Sequence, residues 1–541
     1  MVRVLARVLP AAVASAALLL SAGAAPAATP RDALVMAWNL DALITFDPAQ
    51  IGEVNGADII VNNVCTTLVK YNPKDVTKII PGTAESWSTS PDGLTLTFKL
   101  RSDLKFPDGT PATAEDAAWS LQRAVLLGFF SSSNLIEWGF SKDQITDQIQ
   151  ATDATTLVLK LAKPYPAPLL LSAAFANNNV ATILSKAAGL KNAKTTDGKS
   201  DYGNAFFKTG PVCVGPYHVA RWDANDVVIL ERNDNYFDAK PAMRRIIIRH
   251  VPESSAERLL LEKGDVDVAR LLSTDDLKVL ESNKDIHIEQ TLVQGVQYLA
   301  MNTNDPILSN PKVREAIRYL IDYDGLTNTI LPYKGVPRAD LVPEEAFGAL
   351  NRKEGQPFSL DLAKAKQLLT EAGYPDGFSK KLILSANDIS PAIAQHVATN
   401  AAKVGIKLEL EQMADANLFT RGRNRDFEIQ LVGWFAGYPD AHAMVSRHAT
   451  NPDPRPEAKL VGIPVWRTGW QSTDVNAKAE AARLEQDPEK RAAIYRDIQH
   501  YMLHNGPMAY IFQTIRPIAV RTSVKDFVIA PFNVNYASAS K

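Results

Sequence analysis

The chain has 541 residues, more than one hydrophobic core supports, so we expect at least two lobes. Its 58 lysines and arginines nearly balance its 60 aspartates and glutamates, and the net charge of -2 gives no basic field for nucleic acid or an anionic membrane. We therefore exclude a nucleic-acid partner, and the hydrophobic fraction of 46% is ordinary for a globular protein.

The N-terminus has the pattern of a cleavable export signal. Arg3 and Arg7 precede an apolar stretch, residues 8–25, and the small residues Ala25-Pro26-Ala27-Ala28 fit a signal-peptidase site. No cysteine follows this stretch, so we expect a signal peptide over residues 1–28, no lipid anchor and a soluble periplasmic protein. An uncleaved membrane anchor is the alternative, although the stretch is short for a span.

Cys65 and Cys213 are the only cysteines in the sequence. They can pair in an oxidising compartment, but their spacing does not show whether the Cα atoms come close enough. A disulfide and two separate buried thiols therefore both stay open.

The first clear elements alternate between strand and helix. Pro91-Asp92-Gly93 predicts a turn, and the alternation over residues 94–100 predicts a half-buried strand. Thr113, with Asp116 three residues on, predicts the capped start of a helix. Further on, residues 227–230 and 246–248 are short apolar runs typical of buried strands.

The second half of the chain begins with two predicted helices. Asn310-Pro311 combines a cap residue with proline at the first helical position, which predicts a helix start. A second helix is predicted to begin near Asp361 and to stop at Gly373, because glycine suits the left-handed position after a helix end.

A βαβ unit is predicted next, from a strand at residues 382–384, a helix at 391–404 and a strand at 406–410. A further strand over residues 427–432 runs into a loop of aromatic residues and glycines over residues 433–440. Ligands in α/β folds bind just past the carboxyl ends of strands, so this loop is the first candidate for a binding site.

The loop contains Trp434, Phe435, Gly437, Tyr438 and Asp440. Aromatic rings supply large, rigid contact area, and glycines let a ligand approach the backbone. We predict that these five residues bind ligand. The alternative is that Trp434 and Phe435 are core anchors.

Neither a catalytic motif nor a resident metal site is predicted. The sequence has no nucleophile elbow, zinc-protease motif, phosphate-binding glycine loop or dinucleotide fingerprint. His500 and His504 have metal-binding spacing on a predicted helix but no third ligand. His442 and His448 lie near the aromatic loop and leave capture of a metal chelate open. We predict no catalytic residue, no metal and no cofactor.

Three long stretches occur in order: residues 80–87 (IPGTAESW), 92–101 (DGLTLTFKLR) and 105–116 (KFPDGTPATAED). Shorter ones accompany them: Phe46-Asp47-Pro48, Val214-Gly215-Pro216-Tyr217, Glu231-Arg232-Asn233, residues 312–317, residues 371–375 and Gly433-Trp434. Together they resemble solute-binding protein family 5, the dipeptide-, oligopeptide- and nickel-binding proteins of ABC importers. The resemblance covers essentially the whole mature chain.

This resemblance implies an α/β, two-lobed periplasmic-binding-protein clamp with an extra subdomain in the first lobe and mixed sheets flanked by helices. On that basis residues 29–75, 195–273 and 488–541 form the core of the first lobe. Residues 76–194 form the extra subdomain and residues 274–487 the second lobe. The implied function is capture of a peptide or peptide-like solute between the lobes and delivery to ABC permease subunits. We expect a monomer and not an enzyme.

A second candidate contact follows Phe46-Asp47-Pro48, in residues 51–55. In peptide-binding relatives this loop faces the cleft and can pair with the ligand backbone as a strand would. We predict that Val54 contacts the ligand and that Glu53 receives a cationic group. A solvated loop glutamate is the alternative.

Two departures from the peptide-binding members bear on the ligand. Those members carry an aspartate three residues after the tryptophan that pairs with the ligand's amino group. Here that position is Gly437, with Asp440 a nearby substitute. They also carry an arginine in the second lobe that grips the ligand carboxylate, and residues 374–405 contain no arginine.

A short free dipeptide is therefore disfavoured, because its buried charges would stay unpaired. A longer or modified peptide, a non-peptide solute and a metal chelate are alternatives. An exported hydrolase, or a sensor that signals to a membrane receptor, would use the same fold.

Overall fold

The structure is a computed structural model that describes residues 29–73 and 75–541. The predicted signal peptide, residues 1–28, lies outside the described residues. Across these two ranges, none of the helices combines the length and the apolar character that crossing a bilayer requires.

Strands and helices are interspersed along the whole of the described chain. In chain order, the strands are β1 (Ala33–Trp38), β2 (Val69–Asn72), β3 (Asp75–Pro81), β4 (Ala84–Thr89), β5 (Thr95–Leu100), β6 (Ile149–Ala151), β7 (Thr156–Lys160), β8 (Thr195–Thr196), β9 (Lys199–Ser200), β10 (Tyr217–Asp223), β11 (Val227–Arg232), β12 (Arg245–His250), β13 (Val268–Ala269), β14 (Ile286–Met301), β15 (Gly335–Pro337), β16 (Ser379–Ser385), β17 (Lys407–Met413), β18 (Ile429–Phe435), β19 (Met508–Arg521), β20 (Val528–Ile529) and β21 (Val534–Asn535). The helices are α1 (Val54–Ile60), α2 (Ala114–Leu127), α3 (Ser133–Ile136), α4 (Ile145–Gln148), α5 (Ala167–Leu170), α6 (Lys186–Lys191), α7 (Asn204–Phe207), α8 (Ser254–Lys263), α9 (Thr274–Leu280), α10 (Pro311–Arg318), α11 (Tyr323–Thr329), α12 (Leu362–Glu371), α13 (Ser390–Ala402), α14 (Asp415–Arg423), α15 (Ala441–His448), α16 (Pro464–Arg467), α17 (Thr473–Leu484) and α18 (Pro488–Asn505).

A large mixed sheet runs through the described part of the chain. Its strand order is β10-β11-β12-β1-β13-β19-β14-β18-β16-β17, and β15 pairs with β19 off this path. The strand β1 is parallel to β12 and β13, and β16 is parallel to β17 and β18, whereas β14 and β19 are antiparallel to their neighbours. The predicted α/β class with mixed sheets is confirmed.

The two long strands β14 and β19 join the halves of this sheet. The strand β13 pairs with β19 near Val520, at one end of the long pair. The strand β18 pairs with β14 from Gly295 to Met301, at the other end. The long pair therefore continues from the first half-sheet, built around β1, into the second half-sheet, built around β16.

A separate four-stranded sheet, in the order β4-β5-β7-β6, packs against α2. The buried side chains Phe98 of β5 and Leu121 of α2 belong to one hydrophobic cluster. At the start of α2, Thr113 and Asp116 form the predicted capping box. This satisfies backbone N–H groups that have no partner within the helix.

Local signals predicted several other elements correctly. The side chain of Asn310 caps α10, and Pro311 is its first residue. Asp361 caps α12, and Gly373 follows the end of that helix with a φ of 91°. The strands β16 and β17 are parallel and joined by α13, which confirms the predicted βαβ unit.

The predicted loop over residues 433–440 begins later than expected. The strand β18 continues through Phe435, so Gly433 and Trp434 are paired with β14. The prediction that the strand ends at residue 432 was wrong. Its length depends on β14, a partner distant in sequence that the local pattern does not reveal.

Helices α9 and α18 flank the predicted limits of the second lobe. Leu277 and Leu280 of α9 lie in a buried cluster with Val35 and Ala37 of β1. The helix α18 packs against α10, α15 and α17. Packing thus associates α9 with the first half-sheet and α18 with the second, and the boundaries at residues 274 and 487 stay predictions.

Cys65 and Cys213 are joined by a disulfide, with their Cα atoms 5.4 Å apart. Both residues are buried in the cluster that contains Ile59 and Ile60 of α1. The cross-link therefore ties the segment after α1 to a segment 148 residues further along the chain.

We expect the double variant Cys65→Ala/Cys213→Ala to lose about 2–5 kcal/mol of unfolding free energy, because the cross-link restricts the unfolded chain. Urea unfolding followed by circular dichroism measures the loss. The wild type under reducing conditions is the control, since it loses the bond but not the sulfur atoms. Equal midpoints for the reduced and oxidised wild type would contradict the prediction.

Candidate functional site

The candidate site lies where the pairing of β14 with β19 is interrupted. Three residues of β14, 293–295, lie opposite the single residue Thr514 of β19. The strand β18 also ends here, with Phe435 opposite Gly295. Such a bulge bends the strand and redirects its side chains, which makes it a common feature next to functional sites.

Alternate side chains of β19 face helix α1 near this bulge. Ile518 packs in the same buried cluster as Ile59 and Ile60 of α1. Side chains two residues apart along a strand share a face. Thr514 and Arg516 therefore lie on the α1 side of the sheet.

Glu53 is the N-cap residue of α1, and its own backbone is extended. One carboxylate oxygen, Oε2, accepts a hydrogen bond of 2.7 Å from the backbone N–H of Gly56. The other, Oε1, is shut off from solvent and has no partner among the described residues. A side chain at position 56 would clash with Oε1, which explains the glycine there.

Burial raises the pKa of Glu53 to about 7, although hydrogen bonds from the backbone of Gly56 and Asn55 oppose the rise. An ionised carboxylate in this position loses hydration that the protein replaces only in part. A cationic group placed against Oε1 would supply the missing interaction. The surroundings of Oε1 thus give the predicted role of Glu53 a physical basis.

Three large apolar side chains around this site are exposed: Val54 by 62%, Phe435 by 56% and Phe130 by 76%. Val54 follows Glu53, and Phe130 lies against Gly52. Phe435 lies at the bulge. Apolar groups left exposed beside a few polar ones are typical of a site for a small molecule.

Trp434 is half-buried, and its ring meets that of His448 edge to face with 5.6 Å between centroids. Trp434 is therefore in part the core anchor that the sequence left as an alternative. Gly437 is exposed, and a side chain at this position would meet no other described atom within 4 Å of its Cβ. This is the position at which the peptide-binding members carry an aspartate.

Tyr438 and Asp440 are buried. Both oxygens of Asp440 accept hydrogen bonds from Arg491, at 2.8 and 2.6 Å, and Asp440 also caps α15 by accepting from the N–H of His442. Since its oxygens are occupied within the protein, this ion pair argues against Asp440 as a substitute for the anchor absent at Gly437. The ligand contacts of Tyr438 and Asp440 stay predictions.

The two histidines near the aromatic loop have partners other than a metal. His442 and His448 are buried, and their Nδ1 atoms contact the hydroxyl groups of Tyr495 at 3.1 Å and Tyr510 at 2.9 Å. Burial lowers the pKa of His448 to about 3, so that its ring stays neutral. Over residues 29–73 and 75–541, no cluster of three or more His, Cys, Asp or Glu side chains is arranged to hold a metal ion.

Three polar residues at or near the bulge were not predicted from the sequence: Gln294, Thr514 and Arg516. Gln294 is 2% exposed, and neither atom of its side-chain amide has a partner in the described chain. The Thr514 hydroxyl is also shut off from solvent without a partner there. The available signal was weak, because these strands contain other polar residues as well, among them Glu289 and Gln297 of β14 and Gln513 of β19.

The side chain of Arg516 makes no hydrogen bond or ion pair with any residue that the structure describes, and its Nη1 is buried. Burial lowers the pKa of its guanidinium, the nearby charge of Asp58 raises it and Arg270 lowers it further. Buried polar groups normally have partners. Four side chains with unsatisfied atoms lie at the bulge and at the start of α1, which makes these two places candidates for ligand contact.

We expect Asp440→Asn to lower the unfolding free energy by about 3–5 kcal/mol, because it leaves the buried Arg491 without its charged partner. The substitution keeps a residue that can cap α15. Urea unfolding measures the effect, with Asp453→Asn as matched control, since Asp453 pairs with Arg455 in an exposed turn. The control should lose less than about 1 kcal/mol. Full stability of Asp440→Asn with lost ligand binding would instead assign Asp440 to the ligand.

A model of the bacterial extracellular solute-binding proteins, family 5, matches residues 78–454. The chain is 27% identical over 523 residues to the probable D,D-dipeptide-binding periplasmic protein DdpA of Escherichia coli K12, covering 95% of this chain and 96% of that protein. It is 30% identical over 432 residues to the glutathione-binding protein GsiB of Shigella dysenteriae serotype 1 (strain Sd197), covering 78% of each.

Among solved structures, the periplasmic binding protein DppA of Helicobacter pylori, in complex with the peptide STSA, is similar in fold. The TM-score is 0.75 at 22% identity, and the match covers 94% of this chain and 98% of that chain. This likeness confirms the predicted two-lobed fold class.

Proposed function

Since the chain belongs to family 5 of the bacterial extracellular solute-binding proteins, we propose that the solute it captures is a peptide or peptide-like molecule. Family members are the solute-binding components of ABC importers and are not enzymes. The observation that carries the proposal is the set of unsatisfied polar atoms beside exposed apolar side chains at the bulge. A peptide offers both backbone polar groups and apolar side chains.

The charges at the site support an ampholytic solute. Glu53 has a carboxylate oxygen without a partner, and Arg516 has a guanidinium without one, among the residues described. A peptide carries an amino group and a carboxylate that match this pair. Two similar proteins support this proposal. DdpA is named as a probable D,D-dipeptide-binding protein, and the structure of DppA contains the peptide STSA.

The proposed clamp has its hinge at the interruption of the β14–β19 pair. Residues 29–75 and 195–273 then belong to the first lobe, with 76–194 as its extra subdomain. Packing favours α9 with the first lobe and α18 with the second, so that the chain crosses between lobes at the bulge. A break in a ladder favours bending, because fewer hydrogen bonds hold the strands there.

Two ion pairs join the extra subdomain to the second lobe in the proposed division. Nη2 of Arg447 lies 2.9 Å from Oε2 of Glu137, and Nζ of Lys163 lies 2.7 Å from Oε1 of Glu480. In the proposed division these contacts, together with the ring contact of Trp138 with His442, hold the two parts in the closed arrangement. A solute that binds both lobes stabilises this closed form, which is the form that we propose the permease subunits bind.

Export fits this role. The family is extracellular by its description. Cleavage after residue 28, the absence of a lipid anchor and a monomeric state are further parts of the proposal.

The test of function begins with native mass spectrometry of the protein purified from its own periplasm. We expect a released series of peptides. A single non-peptide compound or a metal chelate would replace the peptide assignment, and turnover of a bound peptide would favour a hydrolase. Binding of neither peptides nor a broad solute panel would contradict the solute-binding role.

Affinity for a peptide with a free amino group should fall as the pH drops below about 7, by up to about tenfold per pH unit. The reason is that Glu53, with a pKa of about 7, must lose its proton before it can pair with an ammonium group. Binding should therefore release protons near pH 7. Isothermal titration calorimetry in buffers of different ionisation enthalpy measures both quantities.

Glu53→Gln should bind more weakly at pH 8 and lose this pH dependence. Glu253→Gln is the matched control, because Glu253 is also a helix N-cap residue but is exposed and makes no capping hydrogen bond. A wild type whose affinity rises on acidification would show that Glu53 instead donates a proton to the ligand.

A further inference from the structure

A buried ion pair acts electrostatically on the unpartnered Arg516. Asp58 of α1 accepts hydrogen bonds from Arg270, at 2.6 Å, and from the hydroxyl of Tyr536, at 2.9 Å. Its second oxygen accepts from the backbone N–H of Val534. All of these groups are buried, so the carboxylate of Asp58 is fully used.

Arg270 is held in place from its other side as well. Its guanidinium lies over the ring of Trp38, with 3.9 Å to the ring centroid. Its backbone N–H donates to Glu257 at 2.8 Å. Arg270 and Asp58 therefore neutralise each other within a rigid frame.

Arg516 is an additional cation in this frame. The frame holds two carboxylates: Asp58, whose oxygens are used by Arg270, Tyr536 and Val534, and Glu257, which accepts from the backbone of Arg270 and Leu271. Neither of them makes a hydrogen bond or ion pair with Arg516. A half-buried charge without a counterion is costly. Nothing in the described part of the chain pairs with Arg516, and a ligand group is the remaining counterion.

Glu53 and Asp58 lie at opposite ends of helix α1. Asp58 lies five residues after Glu53, which corresponds to about 7–8 Å along the axis of α1. Glu53 is at the start of this helix, and Arg516 is near Asp58 in its last turn. The unpartnered carboxylate oxygen of Glu53 and the unpartnered guanidinium of Arg516 are thus associated with opposite ends of one helix.

We propose that Arg516 binds the C-terminal carboxylate of the solute, with the hydroxyl of Thr514 donating to the same group. This inference rests on the proposed function and deepens it, since it fixes which end of the peptide lies where. The amino end lies at Glu53 and the carboxylate at Arg516. A first-lobe strand then supplies the arginine that residues 374–405 lack.

The experiment compares two pools of random di- to tetrapeptides without aspartate or glutamate, one with free carboxyl ends and one amidated. Apparent affinities are measured by thermal shift and native mass spectrometry. The wild type should prefer the free-carboxyl pool by on the order of tenfold to a hundredfold, the usual range for a charge-assisted hydrogen-bond pair. Arg516→Gln should reduce this preference to less than about twofold, and Arg516→Lys should be intermediate, because it keeps the charge but not the planar fork.

Arg249→Gln is the matched control, because Arg249 is an exposed arginine on β12 of the same sheet. It should keep the wild-type preference. An equal affinity of the wild type for both pools, or a preference that survives in Arg516→Gln, overturns the carboxylate site and leaves the proposed function standing. Binding of neither pool overturns the proposed function and this inference with it.

The thermal midpoint without ligand provides a second readout. Because Arg516 has no partner in the described residues, Arg516→Gln should melt no lower than the wild type. A midpoint lowered as far as that of Asp440→Asn would mean that Arg516 serves the fold, and would overturn the assignment.

Discussion

The antiparallel pairing of β14 with β19 is the constraint on which the rest of the structure depends. These strands carry a half-sheet on each side, so the two halves share one pair of strands instead of packing as independent bodies. Where residues 293–295 of β14 lie opposite the single residue Thr514 of β19, the regular pairing of the two strands is interrupted. If the clamp closes as proposed, this interruption supplies both its bend and polar groups for the ligand, so that closure and recognition have one structural origin.

The candidate site combines polar atoms without partners with a firmly hydrogen-bonded ion pair, and the polar atoms without partners lower the stability of the fold. Gln294 and Arg516 have polar atoms without partners in the described chain, whereas Asp58 and Arg270 pair with each other. Natural proteins tolerate such losses where function needs a preorganised site. Stabilisation is recovered elsewhere, through the buried pair of Asp440 with Arg491 and through large hydrophobic clusters.

Elements whose signals are local were predictable, and features that depend on distant partners were not. The cap at Thr113 and the stop at Gly373 follow from residues within one turn, and the family resemblance supplied the two-lobed architecture. The extension of β18 through Phe435 depends on β14, and the ion pair of Asp440 on Arg491, 51 residues away in sequence. Arg516 was not predicted as a site residue, because the sequence does not distinguish it from an ordinary arginine in an edge strand. Only its position relative to α1 makes the difference.

The disulfide between Cys65 and Cys213 has a consequence for the covalent topology of the molecule. The closed loop contains the whole four-stranded sheet and α2, so this subdomain is connected to the remainder as a loop with both ends fixed. A protease that cuts once anywhere inside the loop leaves both fragments attached to the same molecule. In a periplasm that contains proteases, the two fragments of such a cut protein would stay joined one to one by the disulfide. Both sides of the cleft would then remain in one molecule.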